Sequence, residues 1–190
     1  LVEQLLVEGL KSRQQAAFSA LVDSFQHMVF STALGIIHVQ EEAEDVAQEV
    51  FMQVYESIDQ FKGESKLSTW LYRITITKAL DWQRRKQRKK RFAVVTSLFG
   101  INNEVLTDPP DFIHPGVLME NKERSAILFR AIDKLPENQK VAFLLIKIED
   151  QTYQEVAEIM GASVGAVESY MHRAKQNLRK LLEDFYTNEQ

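Results

Sequence analysis

The residues of this sequence that could do chemistry lie in surface patches. Glu168, Ser169, His172, Arg173 and Lys175 share the outward side of one amphipathic stretch. Carboxylate, hydroxyl, imidazole, guanidinium and ammonium groups on a single helix face suit base edges and phosphates in a major groove. Arg84, Arg85, Lys86, Arg88, Lys89, Lys90 and Arg91 put seven positive charges within eight residues. Residues 41–56 carry Glu41, Glu42, Glu44, Asp45, Glu49 and Glu56. The net charge of −4 therefore conceals patches of opposite sign, which implies at least two partner surfaces. Nothing points to catalysis, a metal or a cofactor. There is no Cys, and His27, His38, His114 and His172 are scattered without ligand spacing. No phosphate-cradling glycine loop is present, and the carboxylates fall on exposed helix faces.

The elements that must hold these patches are helical. Seven Gly, four Pro and a 45% hydrophobic composition fit a helical globular chain. Residues 152–175, TYQEVAEIMGASVGAVESYMHRAK, read as a helix-turn-helix. Thr152 and Glu155 form a capping box, and Val156, Ala157, Ile159 and Met160 give the first helix its apolar face. Gly161 ends that helix where positive φ is needed, and Ser163 caps the next. Val167, Tyr170, Met171 and Ala174 supply the inner face of the second helix. Taken alone, this segment is also compatible with an ordinary helical hairpin whose outer face is merely solvated.

Upstream, Ser12 and Gln15 resemble a capping box before a helix carrying Phe18, Leu21, Val22, Phe25, Val29, Ala33 and Ile36. A second helix is predicted from about Glu41 to Ile58. Ala43, Val46, Ala47, Val50, Phe51 and Val54 face inward, with Asp45, Gln48, Glu49, Met52 and Glu56 opposite. DQFKGESKLS (59–68) is a loop, after which Ser68 can cap a long helix that starts apolar and ends basic. Residues 93–118, with Pro109, Pro110 and Pro115, read as a linker. Helical pattern resumes near Met119, and Pro136 opens a further helix. No apolar run is expected to span a bilayer, the start lacks a signal-peptide layout, and a cytoplasmic location is the default.

The order of these features carries a family resemblance. An acidic-faced helix is followed by a loop into a basic helix, a linker and a helix-turn-helix. With EDVAQEVF (44–51), FKGESKLSTWLYRI (61–74) and LPENQKVAFLL (135–145), the chain resembles a bacterial RNA polymerase sigma factor of the sigma-70 family, extracytoplasmic-function (ECF) group. The resemblance implies an all-α fold of two small helical domains: an N-terminal helical bundle and a C-terminal helix-turn-helix domain, joined by a Pro-containing linker. Residues 1–92 would form the domain that binds core polymerase and the minus-ten element. Residues 93–118 would be the linker, and 119–190 the domain that binds the minus-thirty-five element.

It also implies roles. Asp45, Gln48, Glu49 and Met52 would dock on core RNA polymerase, through its β′ and β subunits. An acidic stripe with an apolar centre suits the cationic helix pair that β′ presents in this family. Phe61, Lys62, Lys66, Ser68, Thr69, Tyr72, Arg73, Thr77, Lys78, Asp81, Arg84, Arg85 and Arg88 would meet the minus-ten element, where an aromatic among lysines and small polar groups suits unstacked bases. Phe61 is the better candidate for touching a base, and Trp70 reads as core. Thr77 stands where many members carry Asn, and Glu168 where a basic residue is common. Ser163, Glu168, Ser169, His172, Arg173 and Lys175 would meet the minus-thirty-five element. Promoter DNA and an anti-sigma factor, often membrane-anchored in this family, are the implied partners, with no direct membrane insertion. The alternative is an autonomous helix-turn-helix regulator, which explains residues 152–175 but gives the acidic and basic helices no task.

Overall fold

A computed structural model describes residues 2–98 and 122–188. The described residues form eight α-helices and one short 3-10 turn. The N-terminal half comprises α1 (Val2–Lys11), α2 (Gln15–Ile37), α3 (Gln40–Ser57), the 3-10 turn Ile58–Gln60 and α4 (Leu67–Leu98). The C-terminal half comprises α5 (Lys122–Asp133), α6 (Glu137–Lys147), α7 (Tyr153–Met160) and α8 (Val164–Asn188). Most of the expected linker, 99–118, lies outside the described residues, and residues 93–98 extend α4.

Hydrophobic spacing accounts for the N-terminal bundle. Ala43, Val46, Val50 and Val54 lie on one stripe of α3 and are completely buried. They pack on α2 and α4, which contribute Leu21, Val29, Ala33, Ile36, Leu67, Leu71 and Ile76. Each Leu, Ile or Val buried this way contributes about 1.5–3 kcal/mol. Among the described helices, α2 alone is long and apolar enough to cross a membrane, contrary to the expectation that no run would qualify. Its apolar surface is instead spent on the core: Ser31 through His38 are all buried.

Helix α1 goes beyond what the sequence led us to expect. Leu10 is buried against the bundle, and α1 crosses α2 closely at Gly9. A Cβ at Gly9 would stand 2.8 Å from Ala17 Cβ, so only glycine permits that approach. Helix starts also differ from expectation. Gln14, not Ser12, sits at the α2 N-cap, and its side chain makes no cap bond. Ser68 does not cap α4. The helix begins at Leu67, whose N–H donates to Glu3 Oε1 of α1 at 2.9 Å. A carboxylate from a distant helix thus takes the role a local side chain would normally fill, at the end where the helix dipole favours negative charge. Pro136 is the N-cap of α6 rather than its first residue.

The C-terminal half follows its pattern closely. Thr152 and Glu155 make the reciprocal capping box, and Gly161 takes φ 61° at the end of α7. Ser163 Oγ accepts from Ala166 N at 3.2 Å at the start of α8. Val156, Ala157, Ile159, Val167, Met171, Ala174 and Leu178 are buried, and Ala157 is small where α7 meets α8. The two halves are packed together. Ile36 and Ile76 of the first face Val141, Leu144, Leu145 and Ile148 of the second across a narrow apolar seam.

Candidate nucleic-acid interface

The acidic face of α3 is open. Asp45, Gln48, Glu49 and Met52, spaced at i, i+3, i+4 and i+7, are all exposed. Met52 is 61% exposed, unusual for an apolar side chain of that size, and carboxylates flank it. Glu42, from the same acidic run, is engaged differently. It accepts from Trp82 Nε1 at 3.1 Å and from Lys86 Nζ at 2.6 and 2.8 Å, binding α3 to α4 inside the half. Glu49 is lightly tethered by Lys78, at 3.4 Å.

The loop before α4 is held from α1. Lys11 Nζ donates to the Phe61 carbonyl at 2.9 Å, and Glu3 holds Leu67. Phe61 itself is buried, 6% exposed, with its ring centroid 5.2 Å from that of Trp70. Phe61, which the sequence favours for touching a base, packs beneath the loop, and Trp70, packed against the core, is the more accessible of the two rings. Thr69 and Tyr72 are also buried, whereas Lys62, Lys66, Thr77, Arg84, Arg85 and Arg88 are exposed and Ser68 is partly covered. Thr77 Oγ1 donates to the Arg73 carbonyl at 2.7 Å, leaving its hydroxyl oxygen free to accept only. Asp81 pairs with Arg84 at 2.9 Å one turn along.

Much of this surface meets the C-terminal half. Arg73 donates to the carbonyls of Ile159 (3.2 Å) and Glu158 (2.5 Å) at the end of α7. Arg84 grips Glu137 with two hydrogen bonds, Nε to Oε1 at 2.9 Å and Nη2 to Oε2 at 2.5 Å. Lys66 lies 3.4 Å from Glu155. Tyr72 Oη donates to Glu149 Oε2 at 3.4 Å and accepts from Gln151 Nε2 at 3.2 Å. Glu149 also accepts from Ser31 Oγ at 2.6 Å. Burial pushes the Glu149 carboxyl above its usual range despite those hydrogen bonds, and burial with the nearby Glu149 charge raises the Tyr72 hydroxyl. Asp133 behaves oppositely. Burial pushes it up, but His38 at 3.0 Å and the buried Lys140 hold it below the ordinary value.

The outer face of α8 is clear. Ser163, Glu168, Ser169, His172, Arg173 and Lys175 are exposed on the side opposite Val167, Met171 and Ala174. His172 and Gln176 are hydrogen-bonded at 3.0 Å one turn apart.

The family models "Sigma-70 region 2" and "Sigma-70, region 4" match residues 21–89 and 125–178. The chain is 34% identical over 176 residues to the ECF RNA polymerase sigma-E factor of Escherichia coli (strain K12), covering 93% of this chain and 92% of that one. The chain belongs to the ECF group of the sigma-70 family. It is also 32% identical over 181 residues to the RNA polymerase sigma-H factor of Pseudomonas aeruginosa, covering 95% and 94% of the two chains. Two solved structures share its fold. CnrH in complex with the cytosolic domain of CnrY has a TM-score of 0.66 at 23% identity, covering 96% of this chain and 97% of that one. The sigma factor RpoE in complex with the anti-sigma factor NepR, from Bartonella quintana, has a TM-score of 0.57 at 24% identity, covering 87% and 96%.

The protein is accordingly a transcription initiation factor that binds core RNA polymerase and directs promoter recognition. Sequence reasoning did not find Glu3 and Lys11, which fix both ends of the loop before α4, nor Glu137, Glu149, Gln151 and Glu158, which face α4 from the other half. For α1 a signal existed: Leu6, Val7 and Leu10 follow helical spacing. For the others none did, because each partner is remote along the chain.

Proposed function

We propose that this sigma factor works through three separate surfaces on two domains, residues 1–92 and 119–190, joined by 93–118. Asp45, Gln48, Glu49 and Met52 dock on the β′ and β subunits of core polymerase. The loop from Phe61 to Ser68 and α4 through Arg88 engage the minus-ten element. Lys62, Arg85 and Arg88 meet phosphate and hold position rather than read sequence. The outer face of α8 reads the minus-thirty-five element. The observation that carries this reading is the clear face of α8, where donors and acceptors point away from the apolar residues that anchor the helix.

The minus-ten reading uses Phe61, Thr69 and Tyr72 as the packed support of the loop and helix, and Lys62, Lys66, Ser68, Arg73, Thr77, Lys78 and Arg84 as its contacts. The factor carries out no reaction of its own, since the polymerase performs the chemistry, and it acts in the cytoplasm. Two fold relatives are described in complexes, with the cytosolic domain of CnrY and with the anti-sigma factor NepR. An anti-sigma factor is the corresponding partner proposed here. The test is run-off transcription by core polymerase with and without this protein, followed by start-site mapping. New starts preceded by shared minus-thirty-five and minus-ten sequences support the reading. Tight promoter binding by the protein alone, with no new starts, would replace it with an autonomous regulator.

A further inference from the structure

The outer face of α8 holds a hydrogen bond between two of its own side chains. His172 Nε2 and Gln176 Nε2 lie 3.0 Å apart, one helical turn along, and both residues are exposed. An exposed pair of this kind joins no second element and contributes little to the helix. Its consequence is chemical. An amide nitrogen only donates, so the imidazole Nε2 that faces it must accept. A neutral ring whose Nε2 accepts carries its proton on Nδ1. An unconstrained histidine side chain favours the other tautomer, with the proton on Nε2. Gln176 therefore selects the form of His172 that an isolated histidine disfavours. Among the described residues His172 makes no other hydrogen bond, which leaves its Nδ1–H free to donate outward. Glu168, His172 and Gln176 follow one another at i, i+4 and i+8. Along that row the face offers an acceptor, a donor and then the Gln176 carbonyl as a second acceptor.

We infer that Gln176 is a positioning residue for promoter recognition: it holds His172 as a neutral Nδ1–H donor, and His172 thereby selects a base with an acceptor on its major-groove edge. The inference rests on the reading of α8 as the minus-thirty-five surface. Guanine presents N7 and O6 in that groove, adenine N7 and thymine O4, whereas cytosine presents only its N4 amino donor. The base that meets His172 is therefore guanine, adenine or thymine, and cytosine is selected against. The other tautomer inverts the rule. A bare Nδ1 would accept from cytosine N4 and would be repelled by thymine O4. The position of one proton on one ring thus sets the sign of the preference at one base, and Gln176 sets the proton.

The tautomer is read directly by NMR of the full chain, isotopically labelled at its histidine ring nitrogens, because a protonated and a bare ring nitrogen differ widely in chemical shift. Spectra are taken at pH about 8.5, above the ordinary imidazole range. The signal lost in His172→Ala belongs to His172. The parent chain should carry the proton on Nδ1. Gln176→Met keeps the length of the side chain, offers no donor and should return the proton to Nε2. Holoenzyme transcription on a library randomised across the minus-thirty-five region, at the same pH, reads the consequence. At one position the parent should disfavour cytosine by about 2- to 12-fold, the worth of one hydrogen bond. Gln176→Met should abolish or reverse that bias, and in a His172→Ala background it should change nothing at that position. A parent ring protonated at Nε2 overturns the inference, as does a Gln176→Met spectrum or base preference identical to the parent's. An equal effect of Gln176→Met with His172 absent also overturns it, because Gln176 would then act on the base itself. Failure of the underlying reading looks different. Transcription by the parent and every variant would then be indifferent to the minus-thirty-five sequence, while the nitrogen shifts still moved as expected.

Discussion

Replacing Arg173 with Ala separates folding from recognition. Its guanidinium is exposed on α8, directly opposite the buried Met171 and Ala174, and among the described residues no hydrogen bond or ion pair holds it. Loss of such a side chain should change stability by less than about 0.5 kcal/mol. In a chain of this size that is a shift of at most about 2 °C in Tm. A bidentate contact to guanine O6 and N7 is worth about 1–3 kcal/mol. At 1.36 kcal/mol per tenfold, that is about 5- to 160-fold in discrimination at one base pair. The assay is holoenzyme transcription on a library randomised across the minus-thirty-five region, at two salt concentrations. One position of the preferred sequence should flatten, with the salt slope falling by about one charge. Arg173→Lys should keep the slope without restoring the preference, since an ammonium cannot span both acceptors. If Arg173→Ala weakens every minus-thirty-five variant equally, Arg173 is a phosphate clamp. Specificity must then come from Ser169, His172, Glu168 or DNA shape.

Three further outcomes follow from the same geometry. Asp45→Lys combined with Glu49→Lys should abolish capture of core polymerase while Tm stays within about 4 °C, because both side chains are exposed and Glu49 gives up only a weak pair with Lys78; wild-type capture would refute the docking face. Glu3→Ala removes the acceptor for Leu67 N–H and should cost about 0.5–2 kcal/mol, read as a loss of about 1–8 °C in Tm. An unchanged Tm would show that α1 does not brace α4. The raised pKa of Glu149 means that its favourable contribution is complete below the ordinary carboxyl value and is lost as pH rises through the raised one. Glu149→Gln, which cannot ionise, should therefore gain in Tm over the parent as pH increases from about 4 to 7, and a difference that does not vary with pH would refute the assignment.

Local chemistry was legible in the sequence and remote chemistry was not. The stripe Ala43, Val46, Val50 and Val54 recurs at helical period, so the buried side of α3 and its exposed acidic side follow together. Thr152, Glu155, Gly161 and Ser163 act on backbone within three or four residues of themselves, so the turn of the helix-turn-helix could be read directly. Glu3 and Leu67 are 64 residues apart, and Tyr72 and Glu149 are 77. No periodicity encodes such pairs. The relative exposure of Phe61 and Trp70 is hidden in the sequence for a related reason. Both rings suit either a core or a base, and only the packing of α1 and α4 around the loop decides which is covered.

The apolar seam gives the packing of the two halves a thermal character. Separating the halves would bring Ile36 and Ile76 on one side, and Val141, Leu144, Leu145 and Ile148 on the other, into contact with water. Exposure of that kind carries a positive heat-capacity change, and the attraction it reflects weakens on cooling. The ion pairs between the halves, Lys66 with Glu155 and Arg84 with Glu137, respond to salt far more than to temperature. Packing between the halves therefore has two independent controls. Cooling loosens the seam, and ionic strength loosens the ion pairs, so calorimetry across a salt series would resolve the two contributions.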